Sequence, residues 1–293
     1  MARESRNHLI VVAAVVLVGA AVALAGSQGS VRVGGVPVFA LAICVAYAIQ
    51  WLVFIPSAIA PTEKFFDLTG SLTFIVVMTL AVVLSGRTDA RTLLLLVLVG
   101  VWAARLGSFL FLRIRRAGAD SRFDEIKKSR TRFLVTWTIQ GLWVSLTLAA
   151  ALGAVTSLDR RPLDAFAFGG LALWIAGFTL EVAADVQKSH FRADASNRGR
   201  FIRTGLWAWS RHPNYLGEIL LWIGVAAVAL PLLHGWQLVT LISPVFVLLL
   251  LTRVSGVPLL EKKADATWGG QPGYEEYKRD TPVLLPRPPR ARD

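Results

Sequence analysis

The chain has 293 residues, of which 55% are hydrophobic, and it carries a formal net charge of +12. A basic balance usually indicates nucleic acid or an anionic surface as partner, but the apolar residues here occur in runs of about 20, the length that crosses a bilayer. The composition therefore excludes an ordinary soluble protein and a nucleic-acid partner. It predicts an all-α integral membrane protein in contact with membrane lipids, whose positive charge serves topology and anion binding.

The first apolar segment follows a short basic start. Met1–His8 is basic and Leu9–Gly26 is apolar, with small residues near its end that would suit cleavage of a signal peptide. The apolar run is long for such a peptide, so we expect a retained helix. Residues 1–35 then form an extra N-terminal transmembrane helix, and 36–293 form the main membrane domain.

Seven further apolar segments follow, so that the sequence predicts a helical bundle of seven or eight transmembrane helices. They cover roughly residues 36–60, 66–85, 92–112, 133–156, 164–186, 213–230 and 236–254.

Lysine and arginine concentrate in three of the connecting segments. Residues 113–132 carry eight of them, residues 188–211 carry six, and the tail from 253 carries eight. Loops on the cytoplasmic side of a membrane show such an excess. We therefore expect both termini, and the polar segments that hold a cofactor site, on the cytoplasmic side of a bacterial-type inner membrane.

Metal and disulfide chemistry has little support. Cys44 is the sole cysteine and lies in an apolar run, and the four histidines do not form pairs at the spacing of metal ligands. No glycine-rich phosphate loop follows a predicted strand. We expect no metal site, no intrachain disulfide and no soluble dinucleotide-binding domain.

The most specific motif is SRHPNYLGE at 210–218. Its proline fits the first turn of a helix, where the missing N–H would have no partner. Asn214 and Glu218 then share one helix face, while Arg211 and His212 can donate to an anion at the helix N-terminus. An interfacial anchor would explain the aromatic residues of this stretch but not a glutamate inside the membrane, so a functional site is favoured.

A second constellation lies at the end of the preceding span. Glu181 and Asp185 share a helix face, and Arg192 follows two turns later. The two acids can bind sugar hydroxyls or amide donors while the arginine pairs with phosphate. The alternative is an interfacial ladder of ion pairs in which Asp185 pairs with Lys188 or Arg192.

Two further charged positions lie in or beside membrane-length segments. Arg105 sits deep in its span, where it needs either an acidic partner or a ligand phosphate, and Arg113 at the end of that helix suits topology or a ligand equally. Asp67 opens the third span. It either stabilises a helix N-terminus or is a protonated acid that donates to a substrate carbonyl. The tail 259–286 is an amphipathic surface helix or a lid.

Four motifs in order along the chain carry a family resemblance: FDLTGSLTF, RLGSFLFLR, TGLWAWSRHPNYLGE, and VSGVPLLEKK followed by GYEEYKRDTPVLLP. Over residues 65–286 the chain resembles the DUF1295 family of bacterial membrane proteins, which is grouped with the steroid 5-alpha-reductase C-terminal domain and is similar to sterol reductases. The resemblance implies an NADPH-dependent reductase in a helical bundle, with the motif concentrated in residues 160–286.

The resemblance also implies residue roles. The cofactor contacts of that family fall on Asn214, Glu218, Asp185 and Arg192, and Glu181 stands where the family has asparagine. Its carbonyl-polarising pair falls on Asp67 and Trp102, where tryptophan can donate a hydrogen bond but cannot act as an acid. With the motif residues, the cofactor-binding set is Arg105, Arg113, Glu181, Asp185, Arg192, Arg211, His212, Asn214, Tyr215, Glu218 and Arg253.

We therefore expect an oxidoreductase that reduces an activated C=C bond of an enone-like steroid or other lipid with NADPH. The lipophilic substrate would enter from the bilayer, and Asp67 with Trp102 would stabilise the developing enolate. The alternative enzyme is an S-adenosylmethionine-dependent membrane methyltransferase of the isoprenylcysteine or phospholipid type, which carries a similar RHPxYxGE-like block. A non-catalytic lipid-binding or scaffolding protein is the third class.

Overall fold

The computed structural model describes residues 2–117 and 120–289, and within them the chain is mainly helical with very little sheet. A two-stranded hairpin, β1 (Arg32–Val33) and β2 (Val36–Pro37), pairs Arg32 with Pro37 and Val33 with Val36. Short 3-10 turns join several helices, and α8 continues into a π-helical segment, Leu250–Val254. The helices are α1 (Ala2–Gly26), α2 (Val38–Ile59), α3 (Phe66–Ser85), α4 (Ala90–Ala117), α5 (Arg130–Thr156), α6 (Ala165–Ala193), α7 (Pro213–Ala229), α8 (Ile242–Leu249), α9 (Val257–Trp268) and α10 (Pro272–Asp280).

Eight helical runs in the described part of the chain are long and apolar enough to cross a membrane. This confirms the predicted all-α, multi-span bundle and is compatible with an integral membrane protein. One boundary differs in a way that matters: α6 continues to Ala193, whereas the apolar pattern predicts an end near residue 186. The residues 187–193 contain no glycine or proline to stop the helix. Asp185 and Arg192 therefore lie on one continuous helix.

The chain divides into two compact units. Unit 1 consists of the chain up to Phe168 together with Val225–Ser243, and unit 2 consists of Gly169–Gly224 together with the chain from Pro244 onward. In unit 1, α5 is the central helix and packs against α1, α2 and α3. Its second half is rich in small residues, and residues 148–152 are fully buried. Small side chains allow neighbouring helices to approach closely.

In unit 2, α6 and α7 pack antiparallel through glycines. A Cβ atom on Gly177 would lie 2.5 Å from the carbonyl oxygen of Gly217, and one on Gly224 would lie 2.5 Å from that of Gly170. A Cβ on Gly217 would lie 2.6 Å from the backbone nitrogen of Glu181. The two backbones are therefore in direct contact, as at other small-residue crossings of membrane helices. This contact sets the end of α6 beside the start of α7.

Candidate functional site

The centre of the candidate site is a hydrogen bond between α6 and α7. Asn214 Nδ2 donates to Asp185 Oδ1 over 3.2 Å, across the glycine contact just described. Asp185 is 9% exposed. Asn214 Oδ1 is buried and has no hydrogen-bond partner among the described residues. The pair thus presents a buried acceptor atom, Asn214 Oδ1. Leaving a buried acceptor without a hydrogen bond costs free energy, so a ligand that donates to it would be stabilised here.

A second carboxylate lies on the same face of α6. Glu181 is one turn before Asp185 and is only 3% exposed. Glu218 is half-buried on α7, one turn after Asn214, so that it shares the face of Asn214. The structure therefore brings Asp185 and Asn214, two of the predicted cofactor-binding residues, into contact, with Glu181 and Glu218 on the adjoining turns.

Lys188 lies at the same end of α6, where the sequence pattern indicates only a neutralising partner for Asp185. Its ammonium lies 4.1 Å from the centre of the Trp207 ring, within cation–π distance. Trp207 is itself fixed, because its Nε1 donates to the carbonyl oxygen of Ala184 over 3.0 Å. The spacing of Lys188 and Arg192, four apart and just after Asp185, is the signal that would have identified this basic end of α6.

The motif suggested that the side chains of Arg211 and His212 bind an external anion. In the structure both side chains instead contact a carboxylate of the chain itself. Arg211 Nη1 lies 2.7 Å from Glu261 Oε2, and His212 Nε2 lies 2.8 Å from Glu261 Oε1. One carboxylate of α9 thus contacts both residues. The sequence pattern of the tail 259–286 indicates a surface helix or a lid, and it does not indicate that Glu261 contacts Arg211 and His212. These partners lie about 50 residues earlier in the chain.

The imidazole of His212 is buried and stacked. Its ring lies 5.5 Å from that of Tyr215 with an interplanar angle of 9°. Burial lowers the pKa of His212; the hydrogen bond to Glu261 opposes that shift, and the charges of Lys188 and Arg211 add to it. His212 Nδ1 is buried and has no partner among the described residues. The neutral ring therefore carries a second open polar atom, on a residue two positions before Asn214.

The C-terminal segment occupies the backbone donors that precede α7. Arg211 N donates to the carbonyl oxygen of Pro282 over 2.9 Å, and His212 N donates to that of Val283 over 3.1 Å. Carbonyl groups of the tail therefore already accept from these two donors, which lie just before the first residue of α7. Anion binding by the side chains of Arg211 and His212 stays a prediction.

An aromatic cluster fastens α10 to the same region. Tyr277 Oη donates to the carbonyl oxygen of Trp207 over 2.8 Å. The ring of Phe201 lies 5.3 Å from that of Tyr274 and 5.4 Å from that of Tyr277. Tyr274 and Tyr277 of the tail therefore pack against the loop between α6 and α7.

The remaining cofactor candidate of unit 2 is Arg253. It is exposed in the last turn of the π-helical segment. Isolated π-helical turns are frequent at functional sites, since the extra residue redirects side chains.

The four predicted residues of unit 1 have surroundings of their own. Asp67 Oδ2 lies 3.3 Å from Arg122 Nη2, which also pairs with Asp120. Hydrogen bonding to Asp120 and the charge of Asp67 raise the pKa of Arg122 against the opposing effect of burial. Asp67 sits in the first turn of α3. A guanidinium partner favours the carboxylate form, so a role as protonated donor would require Arg122 to move away.

Trp102 lies deeper in the helix bundle of unit 1 than Asp67. It is 1% exposed and packs edge-to-face on Phe74, with ring centres 5.0 Å apart. Phe74 is seven residues, or roughly 10 Å, beyond Asp67 along α3. Trp102 therefore packs as a core residue two turns from Asp67. Arg105 is half-buried with its guanidinium 5.2 Å from the centre of the Phe109 ring, and the side chain of Arg113 lies outside the described part of the chain.

Comparison with known proteins supports the family expected from the motifs. The family model for proteins of unknown function DUF1295 matches residues 53–281. The chain is 25% identical over 227 residues to an uncharacterized protein of Schizosaccharomyces pombe, which covers 67% of this chain and 64% of that protein. It is 27% identical over 118 residues to 3-oxo-5-alpha-steroid 4-dehydrogenase 1 of Rattus norvegicus, which covers 40% of each.

The chain thus spans less than two thirds of the length of either relative. The family match, by contrast, extends over most of the chain and includes the elements that carry the Asp185–Asn214 pair. The family expected from the motifs is confirmed: the chain belongs to the DUF1295 family.

Proposed function

We propose that this protein is a membrane-embedded oxidoreductase that uses NADPH to reduce an activated C=C bond in a lipid. The observation that carries the proposal is the Asp185–Asn214 pair, held where α6 and α7 touch through glycines. Polar groups in membrane-length helices cost free energy and usually mark a ligand site. The similarity to the rat steroid dehydrogenase supports the class of reaction.

The acceptor atoms of unit 2 fit the donor groups of this cofactor. NADPH carries ribose hydroxyls and a carboxamide, and both can donate hydrogen bonds. Asn214 Oδ1 is a buried acceptor that no described residue satisfies, and the carboxylates of Asp185 and Glu181 supply further acceptors on the adjoining helix. A ligand that donates here would satisfy the buried amide oxygen.

The phosphates fit the basic end of α6. Lys188 and Arg192 are four residues apart and so lie on one face of the helix, beyond the two acids. Arg253 is a third cation that we assign to this role. Arg211 is a weaker candidate than the motif suggested, because Glu261 already pairs with it. We place the site on the cytoplasmic side, as the distribution of lysine and arginine predicts.

Bound NADPH would supply a hydride to the β-carbon of an enone-like substrate, and a proton at the α-carbon completes the saturated product. The residues of this chain bind and orient the cofactor and exclude water. We propose that the lipophilic substrate enters from the bilayer, which the eight apolar helical runs support. The assignments of Asp67 and Trp102 to the substrate carbonyl stay predictions.

One observation favours S-adenosylmethionine as a second candidate. The Arg211–Glu261 pairing removes one cation from the phosphate-binding set and adds a carboxylate beside the RHPNY segment. A carboxylate-rich site suits a ligand with ammonium and sulfonium charges. The two cofactors are therefore to be compared directly.

The test is a thermal melt of the detergent-purified protein with NADPH, NADH and S-adenosylmethionine. A ligand at 100 times its Kd stabilises the folded state by about 2.7 kcal/mol. We expect this from NADPH in the wild type and in Arg198→Ala, an exposed arginine of the loop after α6 that serves as control. The increase in Tm is expected to be much smaller in Arg192→Ala and in Glu218→Ala. Stabilisation by S-adenosylmethionine and not by NADPH would overturn the reductase assignment.

A further inference from the structure

Glu261 lies in the VSGVPLLEKK motif of unit 2, but the motif by itself assigns it no role. Its two carboxylate oxygens have different partners: Oε2 lies 2.7 Å from Arg211 Nη1, and Oε1 lies 2.8 Å from His212 Nε2. The side chain is 19% exposed, so both contacts are largely shielded from water. Charge-assisted hydrogen bonds in such a setting are among the strongest that side chains make.

These contacts determine where the imidazole proton resides. The guanidinium of Arg211 is always charged and keeps Glu261 ionised, and an ionised carboxylate only accepts hydrogen bonds. His212 Nε2 must therefore carry a proton. The stacking on Tyr215 holds the ring plane, so Nδ1 points in a fixed direction.

The charge of the ring follows from the groups that face it. Lys188 of α6 and the preceding Arg211 disfavour a second positive charge, Glu261 of α9 favours it, and Tyr215 presents an uncharged ring. Burial is the largest influence, and the pKa of His212 is lowered in sum. The neutral ring then has a lone pair on Nδ1. That atom is buried in a side chain only 6% exposed, and it has no partner among the described residues.

The loop that precedes α7 is anchored by contacts that do not involve Glu261. The backbone N–H groups of Arg211 and His212 are already held by the carbonyl oxygens of Pro282 and Val283. Ser210 Oγ donates to the carbonyl oxygen of Leu284 over 2.9 Å as well. Glu261 adds a further attachment, through the side chains of Arg211 and His212. This attachment is best explained by the protonation state that it imposes on its partners.

We infer that Glu261 is a positioning residue that keeps the proton of His212 on Nε2, so that Nδ1 accepts a hydrogen bond from a hydroxyl or amide group of the bound cofactor. This inference rests on the proposed function for the identity of the ligand. Together with Asn214 Oδ1, it makes the RHPNY segment a region that recognises hydrogen-bond donors, while phosphates bind at the end of α6.

The experiment is nitrogen NMR of the full-length protein in detergent with ¹⁵N-labelled histidine, in which His212→Gln identifies the signals of His212. Glu261→Gln removes the charge that fixes the tautomer, and Glu261→Asp restores a carboxylate. Asp265→Asn is the matched control, because Asp265 lies one turn further on α9 and contacts Tyr274 and Lys278 instead.

In the ligand-free wild type we expect a protonated Nε2 and an unprotonated Nδ1 at pH 7, unchanged in Asp265→Asn. In Glu261→Gln we expect a mixture of tautomers, and in Glu261→Asp a return toward the wild-type state. A protonated Nδ1 in the wild type, or identical His212 signals in Glu261→Gln, would overturn the inference. This measurement needs no cofactor, so its outcome is independent of the proposed function.

The cofactor contact is tested by adding NADPH and its 3-acetylpyridine analogue, which lacks the amide N–H. A shift of the Nδ1 signal with NADPH alone identifies the amide as donor, and a shift with both identifies a hydroxyl. We expect Glu261→Gln to weaken NADPH binding by about tenfold, the effect of losing one neutral hydrogen bond to the cofactor. If NADPH raises the Tm while the Nδ1 signal does not move, the contact is refuted. If NADPH does not bind, the proposed function fails, and the tautomer measurement still decides the role of Glu261.

Discussion

Asn214 donates a hydrogen bond to Asp185 although 29 residues separate them, because the antiparallel glycine contact sets the start of α7 beside the end of α6. The carbonyl oxygen of the same amide stays open. The amide nitrogen of Asn214 thus makes a contact within the protein, whereas its oxygen can still accept a hydrogen bond from a ligand.

Replacing Asn214 by leucine removes both the donor to Asp185 and the open acceptor. We expect a loss of about 1–3 kcal/mol of stability, the usual cost when a buried polar group loses its partner. We also expect the NADPH-dependent increase in Tm to disappear. Asn7→Leu, at an exposed position of α1, is the control for a polar-to-apolar exchange. An Asn214→Leu protein that binds NADPH as the wild type does would exclude Asn214 from the cofactor site.

Gly177→Ala tests the glycine contact that builds the site. The added Cβ would lie 2.5 Å from the carbonyl oxygen of Gly217 and 2.6 Å from Leu221 N, so the helices must separate. Overpacking of this kind costs about 1–3 kcal/mol. Gly169→Ala is the matched control on the same helix, since a Cβ there meets nothing within 4 Å.

We expect a lower Tm and weaker NADPH binding for Gly177→Ala. For Gly169→Ala we expect an unchanged or slightly higher Tm, because alanine is the better helix former. Equal effects of the two substitutions on melting and binding would show that the close approach of α6 and α7 is unimportant.

Asp67→Asn and Arg122→Gln distinguish an ion-pair role of Asp67 from a catalytic one. If the carboxylate serves only to pair with Arg122, the two variants lose similar stability, on the order of 1 kcal/mol for a pair in which the guanidinium is exposed to water. They then also keep similar reductase activity on a lipid enone. A loss of activity confined to Asp67→Asn would assign the carboxylate to the reaction. The Tm measured by a thermal melt and the NADPH consumption with substrate decide between these outcomes.

The buried His212 predicts a pH dependence of stability. Its folded-state pKa is lowered, mainly by burial, so the unfolded chain takes up the proton first as pH falls. The stabilisation is fully present above the unfolded value of about 6.5 and is lost as the pH falls below it toward the folded pKa. We expect the Tm to drop between pH 7.5 and 5.5 in the wild type, and to drop less in His212→Gln.

His190→Gln is the control for that series, because His190 is an exposed histidine of α6. It should show the full wild-type dependence. A pH profile of His212→Gln that coincides with that of the wild type would contradict a buried neutral imidazole.

The helical architecture, and the spacing within each helix of the residues of the candidate site, were readable from the sequence. Apolar runs of bilayer length predict the spans directly, because each helix satisfies its own backbone and needs only its own residues. The SRHPNYLGE motif placed Asn214 and Glu218 on one helix face, since that relation depends on a spacing of four residues. The shared face of Glu181 and Asp185 follows for the same reason.

Contacts between distant segments were not readable in this way. Glu261 lies about 50 residues beyond Arg211 and His212, and nothing in the intervening apolar sequence indicates that α9 returns to the RHPNY segment. For the same reason, the occupied N–H groups of Arg211 and His212 and the packing of Trp102 on Phe74 could not be foreseen. They depend on which surfaces meet when the helices pack.

The sequence by itself determined the class of protein, the helices, the family and the residues that face each other within one helix. Local spacing and hydrophobicity decide these features. Only the tertiary structure decided which polar groups are paired within the chain and which buried ones have no hydrogen-bond partner among the described residues. That distinction depends on distances between helices, and here it leaves Asn214 Oδ1 and His212 Nδ1 as the open atoms of unit 2 on which the proposals rest.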